Sequence, residues 1–415
     1  MKKDYISNTI AGLINAGEAV IISMIITRTT GLADAGYVTI AFAVGNLLMT
    51  IGKYGVYGFQ VTDRKGIYPF SVYLKTRIIT VSAMLLSLAG YLVYGHYVLG
   101  QSRDKMYIIL FIGLIYAIEA FEDLIKAHCQ YVGRLYVGAL MFIIRWSAIM
   151  ITFAITLIIT RSTPAALGYS LAVSLITFII CYYLFIIRNR SLYFPEPDGD
   201  VRAGSGHPGV INLLKDCLPL FLSLFLSFYI VNSSKYAIEK YMDAEAQACF
   251  GFVAMPVFVI ELLNCFIYQP QLASLTDDHN SPDNTRFKSR ILKQYLIILI
   301  LTVLCLTGAY FIGIPFLSAL YDTDLYSYRN ELLILLTGGG FLAVSGFQNA
   351  ILTIMRRQKY LLWGYLPVSV LAFFFVDPAV KKYGTIGAAF SYLSLIAILC
   401  ILYEYFIRRR SAGDS

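Results

Sequence analysis

The sequence is poor in charge. Only 14% of its 415 residues are Asp, Glu, Lys or Arg, against about 25% in an average soluble domain. Long apolar runs take their place, and 58% of the chain is hydrophobic. A transmembrane β-barrel would instead show segments of about ten residues that alternate between apolar and polar. The composition therefore predicts an all-α protein with several membrane-spanning helices.

Signatures of catalysis and of metal binding are also missing. The sequence contains no Walker loop, no HExxH and no DxD-type nucleotide-sugar site, which argues against an ATP-driven pump and a glycosyltransferase. The seven cysteines stand singly, and the four histidines fall near loops without ligand spacing. We expect no catalytic residues, no metal site and no cofactor, and therefore no enzyme.

Twelve apolar segments are long enough to cross a bilayer, which takes roughly 20 helical residues. A stretch rich in Pro, Gly and charge divides them into two sets of six. The sequence thus predicts an N-terminal lobe over 1–190, a cytoplasmic linker over 191–211 and a C-terminal lobe over 212–415. The predicted spans are 8–30, 36–58, 76–99, 106–126, 137–160, 164–187, 212–234, 247–269, 291–314, 330–354, 360–376 and 384–407.

Lys and Arg are unevenly distributed between the predicted loops. With the N-terminus in the cytoplasm, most of the 33 Lys and Arg residues fall in cytoplasmic segments or at their flanks, as the positive-inside rule requires. Both termini are therefore predicted to be cytoplasmic. The net charge of +8 then reflects topology, and we expect no nucleic-acid binding. The start of the chain lacks a small-residue cleavage site after its apolar part, so we interpret it as a retained first span.

The two predicted lobes resemble each other in sequence. Internal repeats of this kind are common in transporters. Because matching spans would run in the same direction, the repeat predicts lobes related by a pseudo-two-fold axis along the membrane normal. The matches, in order along the chain, are Tyr57 with Tyr268, Gln60 with Gln271, KTR (75–77) with KSR (288–290), and FEDLI (121–125) with FQNAI (347–351).

Each predicted lobe carries a polar stripe in its second span. Helical geometry brings residues i, i+3, i+4 and i+7 onto one face, and both stripes follow that spacing. One interpretation is interhelical hydrogen bonding that only holds the spans together. For Lys53 and Glu261, the cost of desolvating a charge, about 2.5–3.5 kcal/mol on insertion scales, favours a hydrated cavity. The stripes are Asn46, Lys53, Tyr57 and Gln60 in span 2, and Glu261, Asn264, Tyr268 and Gln271 in span 8.

Several other charges lie in or near the predicted spans. Glu18, near the middle of span 1, shares a helix face with Asn15, and it could either exchange a proton or pair with a nearby cation. Arg145 lies well inside span 5, whereas snorkelling accounts for Arg28 and Lys235 if they are merely terminal. The acids of span 4, which we interpret as structural groups that pair with Lys126 or meet the interface, are Glu119, Glu122 and Asp123.

Three stretches of the sequence resemble a known family. TRTTGLADAGYVTIAFAVGNLL (27–48) resembles the first hairpin of bacterial oligosaccharide flippases, the polysaccharide-transporter branch of the multidrug/oligosaccharidyl-lipid/polysaccharide superfamily. LPLFLSLFLSFYIVNSSKYAIEKYMDAEAQACFGFVAMP (218–256) and FIYQPQLASL (266–275) are similar to that family's spans 7 and 8. The elements that recur there are Pro219, Asn232, Lys235, Tyr236, Pro256 and Pro270.

The resemblance implies a transporter of the bacterial inner membrane that works by alternating access. Its two six-helix lobes would rock about a cavity lined largely by spans 1, 2, 7 and 8. They would move an undecaprenyl-diphosphate-linked oligosaccharide to the outer leaflet, for capsule, O-antigen or exopolysaccharide synthesis. The expected partners are this lipid-linked oligosaccharide, membrane lipid and other polysaccharide-assembly proteins. We also hypothesise that downhill entry of H+ or Na+ drives the cycle, with Glu18 or Glu261 as the carrier.

The resemblance gives the candidate residues their roles. A diphosphate needs positive charge in a low-dielectric cavity, where Arg and Lys form charge-assisted hydrogen bonds with phosphate. Amide and phenol groups suit sugar hydroxyls. The candidates for the diphosphate are Arg28, Lys53, Arg145 and Lys235. The candidates for sugar binding and cavity lining are Asn15, Asn46, Tyr57, Gln60, Asn232, Asn264, Tyr268 and Gln271.

Other functions compete with flipping. A drug or cation antiporter of the same superfamily would favour a cavity dominated by carboxylates and aromatic residues, whereas the candidate residues here are mildly cationic. A membrane glycan polymerase or ligase needs a catalytic outer loop, and the predicted outer loops are short. A purely structural scaffold is a further interpretation, which the paired polar stripes disfavour.

Overall fold

The described part of the chain is helical. The computed structural model describes residues 2–63, 66–193, 209–281 and 285–409, and these residues contain no β-strand. The prediction of an all-α membrane protein is confirmed. Most of the linker predicted over 191–211 lies outside the described residues.

The first six long helices follow one another with short connections. Ser102 and Ser162 accept hydrogen bonds from the first turns of the fourth and sixth helices, and Pro164 stands in the first turn of the sixth, as is typical of helix starts. The helices are α1 Lys2–Thr29, α2 Leu32–Lys53, α3 Phe70–Tyr97, α4 Arg103–Tyr131, α5 Leu135–Thr160 and α6 Thr163–Cys181, which continues as a π-helical turn, Tyr182–Ile187. Short helices Val56–Thr62 and Arg190–Tyr193 follow α2 and α6.

Four further helices precede the last hairpin. Asp243 caps the eighth helix through a hydrogen bond from the Ala246 amide, and Pro256, which has no N–H to donate, divides that helix in two. The helices are α7 Val210–Tyr241, α8 in segments Ala244–Ala254 and Val257–Tyr268, α9 Thr285–Gly308 with its continuation Ala309–Gly313 and Ile314–Tyr321, and α10 Arg329–Ile354. The short helix Leu272–Asn280 lies between α8 and α9.

The last 50 helical residues, Lys359–Arg408, form two antiparallel helices. Gly384 adopts a left-handed conformation with a φ of 62°, where a residue with a side chain would be strained. Beyond this turn the chain runs back, so that the Tyr403 hydroxyl donates to the Leu361 carbonyl at 3.2 Å. We call the two arms α11 (359–383) and α12 (385–408).

Twelve helices of the described residues are long enough to cross a membrane. Ten helices of the described residues are long and apolar enough to span a bilayer, with Lys359–Arg408 counted as one. Its two arms are each long enough to cross. The 29-residue α4 also has the required length but carries several charges in its second half. Each of the twelve predicted spans therefore corresponds to one helix.

The chain divides into two compact units, Met1–Phe225 and Leu226–Ser415. The boundary falls inside α7, so this helix belongs to both. The core of the second unit is arranged around α10, where three consecutive glycines allow close approach. A Cβ on Gly338, Gly339 or Gly340 would come within 2.7 Å of an atom of another helix. These glycines therefore bring α12, α8 and α9 against α10.

In the first unit, helix α2 ends earlier than predicted. Tyr54 and Gly55 have φ values of 50° and 69°, both left-handed, and the chain then restarts as Val56–Thr62. A Cβ on Gly55 would lie 3.0 Å from Leu220 on α7, so the break allows the start of α7 to pack closely. The predicted continuous helix face from Asn46 to Gln60 is therefore interrupted after Lys53.

The residues just before α3 form hydrogen bonds among themselves and with the start of α7. The Asp63 carboxylate accepts hydrogen bonds from the Ile67 and Tyr68 amides at 2.9 and 3.0 Å. The Tyr68 hydroxyl donates to Asp216 on α7 at 2.6 Å. Burial and this hydrogen bond raise the pKa of Tyr68 to about 12. The Tyr68 hydroxyl therefore remains a donor throughout the physiological pH range.

Candidate functional site

Three carboxylates lie on one face of α4, in its second half. Glu119, Glu122 and Asp123 follow the i, i+3, i+4 spacing that places side chains together. Glu119 and Glu122 are only 4% and 2% exposed. A buried charge is costly unless it is paired, so these acids require cationic partners from neighbouring helices.

Two of those partners are Lys53 on α2 and Arg145 on α5. The Lys53 ammonium lies 2.9 Å from Glu119 Oε1. The fully buried Arg145 guanidinium donates to Glu122 Oε2 and lies 3.5 Å from Glu119 Oε2. The Trp146 indole also donates to Glu119, at 3.1 Å. This network joins α2, α4 and α5 and gives the Glu119 carboxylate three hydrogen-bond donors.

Arg77 on α3 supplies the third partner. Its side chain is fully buried and donates to Asp123 Oδ2 at 2.9 Å and to the Gly52 carbonyl at 2.7 Å. Asp123 is the most accessible of the three acids, with 15% of its side chain exposed. We call these six paired residues the ionic network. Its members are Lys53, Arg77, Glu119, Glu122, Asp123 and Arg145.

Glu18 lies near the ionic network without being paired to it. Its Oε1 accepts a hydrogen bond from the Tyr116 hydroxyl at 2.9 Å. Its Oε2 is buried and has no hydrogen-bond partner among the residues that the structure describes. An unsatisfied buried oxygen is unfavourable, and a bound proton or cation would relieve this cost.

A cavity of about 330 Å³ opens beside the ionic network in the first unit. One wall is the start of α1, and the others come from α2, α4 and α5. Lys53 reaches it with 29% of its side chain exposed. Of the residues predicted from sequence, Asn15 and Lys53 line it together. The complete lining is Asn8, Ala11, Gly12, Asn15, Lys53, Glu119, Glu122, Asp123, Lys126 and Phe142.

The other candidates of the first unit lie outside this cavity lining. Arg28 is exposed near the end of α1. Asn46 donates to a carbonyl of its own helix at 2.9 Å. The Tyr57 hydroxyl donates to Gln130 on α4. Gln60 is 3% exposed, and neither of its amide atoms finds a hydrogen-bond partner in the described ranges.

In the second unit, Asn264 belongs to a network of amides. Asn264 is fully buried; it accepts from Gln294 Nε2 on α9 at 2.6 Å and donates to the Ala343 carbonyl of α10 at 3.0 Å. Nearby on α10, Gln348 donates to Glu404 on α12 at 3.2 Å. We call Asn264, Gln294 and Gln348 the amide network. Its hydrogen bonds join α8 to α9 and α10, and α10 to α12, and none of its three members is charged.

Glu261 lies on a small cavity of about 70 Å³ inside the second unit. Gly346 leaves room for the carboxylate, since a Cβ there would lie 3.2 Å from Glu261 Oε1. Ser227, Asn349 and Tyr365 also line the cavity. The residues described by the structure supply no hydrogen bond or ion pair to Glu261.

Lys235 is half-buried and lines a second small cavity of the second unit, of about 20 Å³. The walls include Phe250, Val257, Phe258 and Tyr392 and are largely apolar. Among the described residues, no carboxylate pairs with Lys235. Its nearest predicted neighbour in sequence, Asn232, is 8% exposed and donates to a carbonyl of α7 at 3.1 Å.

The last two candidates lie at the end of α8. Tyr268 is 8% exposed and packs against Phe347 of α10, with ring centroids 5.4 Å apart. Gln271 is half-buried in the 3₁₀ turn that follows α8, and it donates to the Ile267 carbonyl at 2.9 Å. Both side chains have partners within their own unit.

The structure adds residues that the sequence interpretation set aside. The acids of α4 pair with Lys53, Arg77 and Arg145, and their predicted partner Lys126 instead lines the cavity. The sequence contains a signal of this pairing. Three acids at helical spacing lie inside one apolar span, and a single Arg lies inside the neighbouring span. Charges so placed in a membrane usually pair with one another.

No protein-family model matches the sequence, and no curated protein matches it. Solved structures do match the fold. An inward-facing multidrug resistance MATE family transporter of the MOP superfamily is 12% identical with a TM-score of 0.71, over 95% of this chain and 94% of that one. The lipid II flippase MurJ, in an inward closed conformation, is 13% identical with a TM-score of 0.71, over 99% of this chain and 88% of its own.

A third match is a MOP superfamily transporter from Pyrococcus furiosus, described as having a binding pocket of reverse polarity that suggests a different function. It is 13% identical with a TM-score of 0.55, over 98% of this chain and 93% of that one. Identities this low establish the fold alone. The chain therefore has the two-lobed, all-α fold of the MOP superfamily transporters.

Proposed function

We propose that this protein is a transporter that flips an undecaprenyl-diphosphate-linked oligosaccharide from the inner to the outer leaflet of the bacterial inner membrane. The lobes over 1–190 and 212–415, joined by the linker 191–211, would alternate access to the substrate, with both termini in the cytoplasm. The MOP-type fold supports a transporter. The resemblance to oligosaccharide flippases supports the lipid-linked glycan as the substrate.

The observation that carries the proposal is the environment of Lys235. A half-buried ammonium among aromatic and aliphatic side chains is costly unless an anion or water compensates it. The described residues supply no carboxylate to this ammonium, whereas the exposed Lys240 on the same helix pairs with Asp377 at 2.8 Å. A diphosphate would supply the missing negative charge through charge-assisted hydrogen bonds.

The other candidates take different roles in this proposal. Lys53, which reaches a cavity, would share the contact to anionic groups, and Arg28 would attract them at the end of α1. Arg145 is fully buried in the ionic network, so its role would be to hold Glu119 and Glu122 in place. The amide and phenol groups proposed to contact sugar are Asn15, Asn46, Tyr57, Gln60, Asn232, Asn264, Tyr268 and Gln271.

The test compares two lysines of α7 in intact cells. We expect Lys235→Ala to abolish export of the surface glycan and to leave lipid-linked oligosaccharide on the cytoplasmic leaflet. The control Lys240→Ala removes an exposed ion pair, worth about 0–1 kcal/mol, and should leave export unchanged. Membrane insertion is checked for both variants by the protein level in isolated membranes. Normal surface glycan in Lys235→Ala would contradict the proposal.

Ion coupling is the second part of the proposed function. Glu18 and Glu261 lie in separate units, and each has a carboxylate oxygen without a partner among the described residues. We propose that one of them carries the H+ or Na+ that drives the cycle. If the Gln variants of both residues leave the pH and Na+ dependence of transport in proteoliposomes unchanged, neither residue carries the ion.

A cation or multidrug antiporter is the second candidate function. It is favoured by the carboxylate of Glu261 in a cavity that also contains the Tyr365 ring, because cations bind to carboxylates and to aromatic faces. In that case lipophilic cations would be extruded from cells in a Glu261-dependent manner. The deletion strain would be drug-sensitive and would retain its surface glycan.

A further inference from the structure

The cavity of the first unit is lined by one cation that is not paired within the ionic network. The network itself is balanced, because Lys53, Arg77 and Arg145 face the three carboxylates Glu119, Glu122 and Asp123. Lys126 lines the same cavity. No carboxylate of the described residues forms an ion pair with it. Among the described residues of the lining, Lys126 is thus the one cation without an ion pair, and an anionic ligand would supply its counter-charge.

The position of Lys126 is fixed by close helix packing. A Cβ on Gly138 of α5 would lie 2.8 Å from the Lys126 Cα, so the glycine lets α5 approach α4 at this residue. The Lys126 ammonium lies 6.0 Å from the centre of the Phe142 ring, a cation–π distance. Phe142 and Lys126 therefore lie side by side in the wall of the cavity.

The internal repeat indicates that the fold does not need this charge. Extending the match of FEDLI with FQNAI by one residue places Lys126 on Leu352 of α10. Leu352 is fully buried, so an apolar side chain fills the equivalent position in the second unit. The same helix arrangement therefore packs without a lysine, and the charge of Lys126 calls for an explanation in the cavity.

The size and lining of the cavity limit its ligand. A volume of about 330 Å³ is at the lower end of ligand pockets, roughly 300–1,000 Å³, and fits one sugar ring rather than several. Asn8 and Asn15 lie two turns apart on one face of α1, with Ala11 and Gly12 leaving space between them. No side-chain hydrogen bond of the described residues occupies either amide, so both can bind hydroxyl groups.

We propose that this cavity is a subsite for one anionic sugar of the transported glycan. The negative group, either a sugar carboxylate or the phosphate of a glycosyl phosphate, lies against Lys126 with Lys53 beside it. The hydroxyls bind Asn8, Asn15 and the accessible carboxylate of Asp123. This inference rests on the proposed function for the identity of the glycan, although binding to the cavity does not require flipping.

The test measures binding of monosaccharides to the purified full-length protein in nanodiscs. Trp146 is buried in contact with Glu119 and Phe142, and Trp363, the second of two tryptophans, is 62% exposed. In a Trp363→Phe background, fluorescence therefore reports on this site. Glucuronate, glucose 1-phosphate and glucose are titrated separately. We expect at least one of the two anionic sugars to bind at least tenfold more tightly than glucose.

Three variants localise the binding. Lys126→Gln should abolish the advantage of the anionic sugar, and Lys126→Arg should keep most of it. Lys288→Gln, which removes an exposed lysine of α9, should change nothing. Preference for glucuronate identifies a sugar carboxylate, preference for glucose 1-phosphate identifies the phosphate, and equal binding of both means that the subsite recognises charge.

Two results would overturn the subsite. One is equal affinity for all three sugars, and the other is an anionic preference that survives in a folded Lys126→Gln protein. Folding is verified by an unchanged elution volume and thermal midpoint. The result is independent of the export assay: export with no anionic preference refutes only the subsite, and anionic preference without flipping refutes only the proposed function.

Discussion

The ionic network of the first unit and the amide network of the second occupy matching places in the internal repeat but use opposite chemistry. Both link the second, third and fourth helices of their unit. In the first unit the links are charged, with Arg77 joining α3 to α2 and α4. In the second, Gln294 joins α9 to α8 through Asn264. The matched residues are Lys53 with Asn264, Glu122 with Gln348, and Asp123 with Asn349.

The comparison separates what the fold needs from what the charges contribute. Amides hydrogen-bond between helices at a small desolvation cost, and the second unit packs with them. Buried ion pairs in a membrane cost more to form, and replacing them with neutral groups is often neutral or stabilising. Four members of the ionic network, Lys53, Glu119, Glu122 and Asp123, line the cavity. The charges of the first unit are therefore better explained by that cavity than by stability. Because each of these charges is buried against its partner, a substitution that removes only one partner should destabilise the protein.

The largest effect is expected from Arg145→Ala. It leaves the buried Glu122 without its ion-pair partner Arg145 and leaves Glu119 with Lys53 alone as a cationic partner. Breaking a buried pair on one side costs about 3–5 kcal/mol, so the free energy of unfolding should fall by that amount. Denaturant titration of the protein in detergent measures it.

The control for Arg145→Ala is Arg408→Ala on α12, whose pair with Glu404 is exposed, with 79% of the Arg408 side chain accessible. A loss of stability no larger than in this control would mean that the ionic network is not held by Arg145. The double variant Arg145→Leu, Glu122→Gln replaces this charged pair with neutral side chains, as in the second unit, where Gln348 matches Glu122. It should recover part of the loss, because Glu119 keeps Lys53 and Trp146 as partners.

The helices were predictable from sequence because apolar length dominates insertion into a membrane. The 12 predicted spans each correspond to a helix, including the pair at Gly384, where a turn separates two apolar stretches. The end of α2 was not predictable in this way. The apolar run continues past Lys53, and only the left-handed Tyr54 and Gly55 interrupt it. That break depends on packing against Leu220, which lies far away in sequence.

The candidate site was predictable only in part. Lys53, Asn15 and Arg145 can be recognised in the sequence because isolated polar groups in apolar spans are costly and usually face a cavity or a partner. Their partners do not stand out, because pairing joins residues such as Lys53 and Glu119 that come from different helices. Charge near a predicted helix end also has an ordinary explanation at the membrane interface, which concealed the burial of Glu119 and Glu122.

A smaller effect is expected from Gln294→Ala in the amide network. The substitution removes the donor to Asn264 Oδ1, while Asn264 keeps its bond to the Ala343 carbonyl. Interhelical hydrogen bonds in membrane proteins contribute about 0.6 kcal/mol on average and at most about 1.7. The free energy of unfolding should fall within that range. A loss as large as that of Arg145→Ala would mean that single members of the two networks contribute equally to the free energy of unfolding.

The smallest effect is expected from Arg290→Ala, and its counterpart in the repeat makes it the sharpest comparison. KTR (75–77) and KSR (288–290) match in sequence, but Arg77 is fully buried, whereas 41% of the Arg290 side chain is exposed in its pair with Asp278. Exposed pairs contribute about 0–1 kcal/mol and are screened by salt. Arg290→Ala should therefore cost little in low salt and less in 1 M NaCl, whereas Arg77→Ala should cost about 3–5 kcal/mol in both. Equal losses would mean that the repeated motif, rather than burial, sets the strength of these contacts.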